Sequence, residues 1–149
     1  MPRKTTMDRA HEDAREGKAP STQAGEFVHE EIDHIREGKH GARSTKQAIA
    51  IGLSKARRAG VKLRPPRKGK TSARTRGKAQ QDVAASRGKG SSKKKAARRS
   101  PAAKRTSAKR SRATTAALKR EGRGAASKQA LSRQAREAAA TRKREASAA

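Results

Sequence analysis

The sequence predicts a mostly disordered chain with α-helical segments, a small N-terminal helical hairpin followed by a disordered basic tail. Three observations predict this. Only one residue of 149 is aromatic, Phe27. Bulky apolar side chains gather in the first 64 positions, and beyond them only Val83, Leu118 and Leu131 remain. Charge divides the same way: residues 1–40 carry a net −2, residues 41–64 a net +7 and residues 65–149 a net +23. Ordering a residue costs about 1–2 kcal/mol of backbone entropy, whereas burying an aliphatic side chain returns about 1.5–3 kcal/mol. Three aliphatics cannot offset the ordering of 85 residues, so the tail should stay unfolded until a partner orders it.

The chain is expected to divide into three parts. Residues 1–25 form a flexible acidic and polar N-terminus, residues 26–64 a helical hairpin module, and residues 65–149 a disordered Lys/Arg/Ala-rich tail with latent helices. In the first part a short helix is expected around Met7–Glu16, with a break at Pro20-Ser21. From Glu26 to Glu37, Val28, Ile32 and Ile35 recur at i, i+4 and i+7 beside Phe27, the pattern of an amphipathic helix. Gly38 should end it.

The second helix opens with a capping box, Ser44 and Gln47 three residues on. Ala48, Ile49, Gly52, Leu53, Ala56 and Ala59 share one face of it. Arg57 and Arg58 suit the negative end of the helix dipole, and Gly60 stands where a left-handed cap belongs. Val28, Ile32, Ile35, Ile49 and Leu53 are the expected hairpin contacts. A hairpin this small generally needs outside support, so weak self-association through the same residues is expected. Arg15-Glu16-Gly17-Lys18, Arg36-Glu37-Gly38-Lys39 and Arg120-Glu121-Gly122-Arg123 form a faint repeat, read as shared turn chemistry.

Beyond Pro65-Pro66, residues 65–101 mix Lys and Arg with Gly, Ser and Pro and should be coil. Arg112–Arg120 and Ser127–Ala146 are rich in Ala, Lys, Arg, Leu and Gln, the strongest intrinsic helix formers. Like-charge repulsion should hold them open until phosphates neutralise them.

Catalytic chemistry is not expected. Cysteine is absent, which removes disulfides, thiolate metal sites and a Cys nucleophile. His29 and His34 approach a zinc-protease pattern, but five residues place them about 140° apart on a helix. His11 and His40 stand in polar sequence without an evident partner. Glu30 and Glu31 point apart on a helix. Gly88, Gly90, Gly122 and Gly124 follow no strand and read as hinges, not as a phosphate loop. The expectation is no enzyme activity, no cofactor and no metal. No apolar run reaches the length of a signal or membrane segment, so a cytoplasmic protein is expected.

The chemistry that is present is cationic. Lys55, Arg57, Arg58, Arg64, Arg67, Lys68, Lys70, Arg74, Arg76 and Lys78 are expected to contact nucleic acid. Lys93, Lys94, Lys95, Arg98, Arg99, Lys104, Arg105, Lys109, Arg110, Lys119 and Arg120 continue the series. Cations spaced this regularly suit a chain laid along a phosphate backbone, with released counterions driving binding. Such contacts ignore base sequence. Single-strand binders use aromatic platforms, which the tail lacks, so duplex DNA or structured RNA is favoured over single strands. Lys46 and Gln47 could reach bases, but the hairpin lacks the third helix and short turn of a helix-turn-helix.

The segment from Arg36 to Gly60, with its Lys46-Gln47-Ala48-Ile49-Ala50-Ile51-Gly52-Leu53 core, resembles an uncharacterised family of small Lys/Arg-rich bacterial proteins. That family carries a "KQAIAIALSEARR"-type helix; Lys55 stands where the pattern has an acidic residue. The resemblance implies a bacterial cytoplasmic protein with no catalytic residues to transfer. The tail separately resembles histone-H1-like bacterial proteins. Together these readings point to non-enzymatic, sequence-nonspecific binding and compaction of DNA in the nucleoid. An RNA- or ribosome-associated basic protein, or a self-assembling protein whose tail binds its own acidic N-terminus, are the alternatives.

Overall fold

A computed structural model describes residues 2–87 and 101–147, with residues 101–107 described by their backbone only. Its helices are α1 (Lys4–Arg15), α2 (Pro20–Arg36), α3 (Thr45–Ala59), α4 (Ala73–Arg87), α5 (Pro101–Arg120) and α6 (Lys128–Ser147), with a 3-10 turn at Gly124–Ala126. Helix α3 starts where its cap dictates. Ser44 Oγ accepts from the Gln47 N–H at 3.2 Å, while Gln47 Oε1 accepts from the Arg43 N–H at 3.0 Å. The return bond lands one residue earlier than the capping box places it. At the other end Gly60 takes φ +107, and the Val61 N–H reaches Ala56 O.

Helices α1 and α2 end alike. Gly17 and Gly38 have φ of +74 and +75, and the following lysines donate to Asp13 O and His34 O, each at 2.9 Å. This paired closure is a Schellman turn, so the first two copies of the Arg-Glu-Gly-Lys repeat encode one device. The third copy departs from it, because Gly122 lacks the positive φ. Helix α2 also begins earlier than expected. Pro20 occupies its first turn, where a missing N–H costs nothing, so the expected break is a helix start.

Two small cores hold the helices. Phe27, 1% exposed, packs with Ala10, Ala24 and Ala56, and Met7, Leu53, Val61 and Leu63 close around them. Ile35, fully buried, packs with Ala42, Ala48, Ala125 and Ala126, with Ile32 alongside. Gly52 lets α3 approach α2: a Cβ there would lie 2.7 Å from Val28 Cα and 3.0 Å from Phe27 O. Of the expected hairpin contacts, Ile35, Ile32 and Leu53 enter these cores and Val28 faces Gly52. Ile49 is only half-buried and belongs to neither cluster.

The expected fold class is overturned. The described residues form an all-helical bundle, not a hairpin carrying a disordered tail. Helix α4 occupies part of the stretch read as coil; residues 88–100 of that stretch lie outside the described residues. Counting bulky side chains misled because alanine does the packing. Ala79, Ala125 and Ala126 are 5%, 9% and 1% exposed. Polar bonds complete the attachment. Asp82 on α4 accepts from Ser54 Oγ at 2.6 Å and from Arg58 Nε at 2.7 Å. Ala125 O accepts from Thr45 Oγ1 at 2.7 Å, and Ala126 O from Arg36 Nε at 3.1 Å.

Candidate functional site

The expected nucleic-acid contacts separate into engaged and free cations. Lys55 is half-buried and pairs with Glu31, and Arg58 pairs with Asp82. Arg57 is 7% exposed, and burial lowers its pKa below the usual guanidinium value. Lys55 and Arg58 thus tie α3 to α2 and α4, and Arg57 is buried within the fold. Lys70 pairs with Glu145. Arg64, Arg67 and Lys68 are exposed between α3 and α4, as are Arg74 and Lys78 on α4; Arg76 is half-buried. Lys109, Arg110, Lys119 and Arg120 are exposed on α5. Lys93, Lys94, Lys95, Arg98 and Arg99 lie outside the described residues. Lys104 and Arg105 fall where only the backbone is described.

Helix α6 adds cations that the listing of basic clusters passed over. Lys128, Arg133, Arg136, Arg142, Lys143 and Arg144 are all exposed. The signal was available: Arg133 and Arg136 stand three apart in a helix-forming sequence, which puts them side by side. No side chain of α6 is buried.

Most N-terminal carboxylates, by contrast, are used internally, although Asp8 and Glu12 are exposed. Glu37 pairs with Lys39 at 2.6 Å and Arg3 at 2.9 Å, and these two cations lower its pKa. Lys18 bonds Asp13 at 2.8 Å and Glu16 at 2.7 Å, which raises its pKa. Most of the negative charge of α1 and α2 is thus paired, while positive charge stays at the surface of α5 and α6.

A second constellation lies under the α2–α3 loop. Glu30 and Glu31 are 4% and 1% exposed, which the divergent-carboxylate reading did not anticipate. Glu30 Oε1 accepts from the Arg3 N–H at 2.9 Å and lies 3.5 Å from His34 Nε2. Glu31 Oε2 accepts from Lys55 Nζ. Its other oxygen, Oε1, lies 3.0 Å from His40 Nε2 but in no aligned hydrogen bond. The rings of His34 and His40 meet edge to face, 6.1 Å between centroids. Burial lowers the His34 pKa, and the nearby Lys55 charge lowers it further. Among the described residues, Glu31, His34 and His40 could hold a metal, because their ligand atoms lie within 4.8 Å of one another. His29 stays outside, exposed and 3.8 Å from Asp33, so the zinc-protease pairing with His34 does not form.

The described residues thus form an all-helical bundle in which most N-terminal carboxylates are paired and the cations of α5 and α6 face solvent. Residues 23–68 match the model of a family of unknown function (DUF6496). The match covers α2 from residue 23, the following loop, α3 and the segment up to residue 68, the region whose sequence resembles an uncharacterised family. Comparison with curated proteins and comparison with solved structures found no match. Among the described residues, no helix is long and apolar enough to cross a membrane.

Proposed function

We propose that this protein binds duplex DNA without sequence preference and without catalysis, as a histone-like, nucleoid-associated compaction factor. One observation carries the reading. The exposed cations of α5 and α6, including Lys109, Arg110, Lys119, Arg120, Arg133 and Arg136, have no carboxylate partner among the described residues. Glu137 and Glu145, the acids of α6, reach away to Lys46 and Lys70. Unpaired cations on a helix about 30 Å long can each displace a counterion from a phosphate backbone. Burial of Phe27, the sole aromatic, supports duplex over single strands, since no base can stack on it.

The test is duplex binding at stepped salt. Each neutralised phosphate contributes a slope of about −0.9 in log K against log salt, so ten engaged cations give about −9. Replacing Arg133, Arg136 and Arg142 together by Gln should make the slope shallower by about 3. A salt-insensitive affinity, or an unchanged slope in the triple variant, would reject the reading. Tighter binding of structured RNA at the same salt would move the assignment to RNA.

A further inference from the structure

We propose that Glu31, His34 and His40 form a site for a single divalent transition-metal ion of the zinc class. Glu31 is 1% exposed, and its Oε1 has no hydrogen-bond partner among the described residues. Leaving a buried carboxylate oxygen unsatisfied is costly. The other oxygen is already taken by Lys55 Nζ, which leaves Oε1 free beside His40.

His40 completes the reasoning. Its Nδ1 lies 3.1 Å from Gly41 O, an atom that can only accept, so Nδ1 carries the proton. In the neutral ring Nε2 then has a free lone pair, and it faces Glu31 Oε1 at 3.0 Å. Two electron-pair donors in that position call for a cation between them, a shared proton or a metal ion, and the third donor, His34, points to the metal. Anchoring one imidazole nitrogen on a backbone carbonyl while the other binds is the usual arrangement of metal-ligating histidines. Gly41 is itself held, its N–H donating to Leu118 O at 2.8 Å, so the C-terminal region fixes the orientation of His40.

His34 lies one turn along α2 from Glu31, which brings its imidazole to the same face. Two imidazoles and a carboxylate are the donors that Zn²⁺ and its neighbours select; Mg²⁺ and Ca²⁺ favour oxygen alone. The ligand atoms lie within 4.8 Å of one another. Tetrahedral zinc with bonds of about 2.0–2.1 Å needs separations of roughly 3.3 Å. Side-chain rotations of about 1 Å close that difference. Buried Glu30, 3.5 Å from His34, adds negative charge that offsets Lys55.

The ion would staple α2 to the loop before α3. That is where support is most useful, because among the described residues only Phe27 and Ile35 supply large, fully buried apolar side chains. A site formed only in the folded chain turns binding into folding stability. At a free zinc concentration 100 times Kd, the ratio of folded to unfolded chain should rise about 100-fold.

The experiment uses the full chain, stripped of nucleic acid at high salt and of metal by chelation. Co²⁺ is titrated by visible absorption and Zn²⁺ by competition with a chromogenic chelator. One ion per chain is expected, with His11→Ala and His29→Ala unchanged. His34→Ala and His40→Ala should weaken binding at least about 100-fold, the upper range for loss of a mere supporting residue. Imidazole resonances of the unmutated chain provide a readout that does not depend on variants folding. Zn²⁺ should shift His34 and His40 and leave His11 and His29 in place. No saturable binding, or equal shifts at all four histidines, would overturn the assignment and leave His40 and Glu31 as a proton-bridged ion pair.

Discussion

Helices α2 and α6 are of similar length, 17 and 20 residues, yet they are stabilised in opposite ways. Helix α2 buries Phe27 and Ile35 and spends its carboxylates on neighbours. Helix α6 buries no residue and leaves its cations in solvent. One is helical because tertiary packing rewards its apolar stripe. The other is helical because alanine, glutamine, lysine and arginine have high intrinsic propensity, and only Ala130, Leu131, Gln134 and Ala138 along it are half-buried. Stability and exposed positive charge are thus housed in different parts of one small protein.

Substitutions can separate the two parts, beginning with the largest expected effect. Phe27→Ala should destabilise the chain by about 3–5 kcal/mol, seen as a lower denaturant midpoint. Both the transfer term and the cavity fall on the main core. Helix α6 offers no position with a comparable effect, and an equal loss from Leu131→Ala would break the contrast.

Gly52→Ala comes next. Alanine in a helix gains up to about 1 kcal/mol over glycine, but here the new Cβ meets Val28 Cα at 2.7 Å. Overpacking should prevail, with a net loss of about 1–3 kcal/mol. A gain in stability would mean that α2 and α3 are not in close contact.

Gly41→Ala should uncouple the two parts more selectively. Its Cβ would sit 1.8 Å from Glu121 O, so the segment after α5 must move away. Two backbone hydrogen bonds go with it, from Gly41 to Leu118 and from Ala42 to Gly122, each worth about 0.5–1.5 kcal/mol. Hydrogen exchange should quicken at Ala42 and Gly41 and remain slow in the middle of α2. Uniform acceleration would show a single cooperative unit.

Ending the chain after Ser127 keeps Ala125 and Ala126 in place and removes only α6. The loss of stability should be no more than about 1 kcal/mol, since nothing buried is lost. The salt slope of duplex binding should become shallower by as much as about 5, for six cations removed.

The smallest effect belongs to Glu37. Lys39 and Arg3 hold its pKa below the ordinary 4.5. A depressed carboxylate contributes stability above its unfolded value and loses it as pH falls through the folded value. Glu37→Gln should therefore flatten the stability profile below pH 4.5, measured by thermal melts, with little change near neutrality because the pair is exposed.

Much of α3 was legible because its information is local. The Ser44 cap, the end at Ala59 and the left-handed Gly60 depend on residues within a turn of one another. The repeat around Gly17 and Gly38 was legible as turn chemistry for the same reason. The basic character of the surface was legible too, since charge needs only counting, although the count could not tell free Arg120 from buried Arg57.

The sequence by itself determined the helix caps, the apolar stripe of α2 and the excess of cations over carboxylates in the second half. Tertiary structure alone decided that the tail region folds back, because alanines become core residues only when another surface covers them. It alone decided that Asp82 meets Arg58 across 24 residues, and that His40 and Glu31 face each other beneath a loop. Helical periodicity relates residues three or four apart. Residues from different elements are brought together by packing, and no spacing along the chain records it.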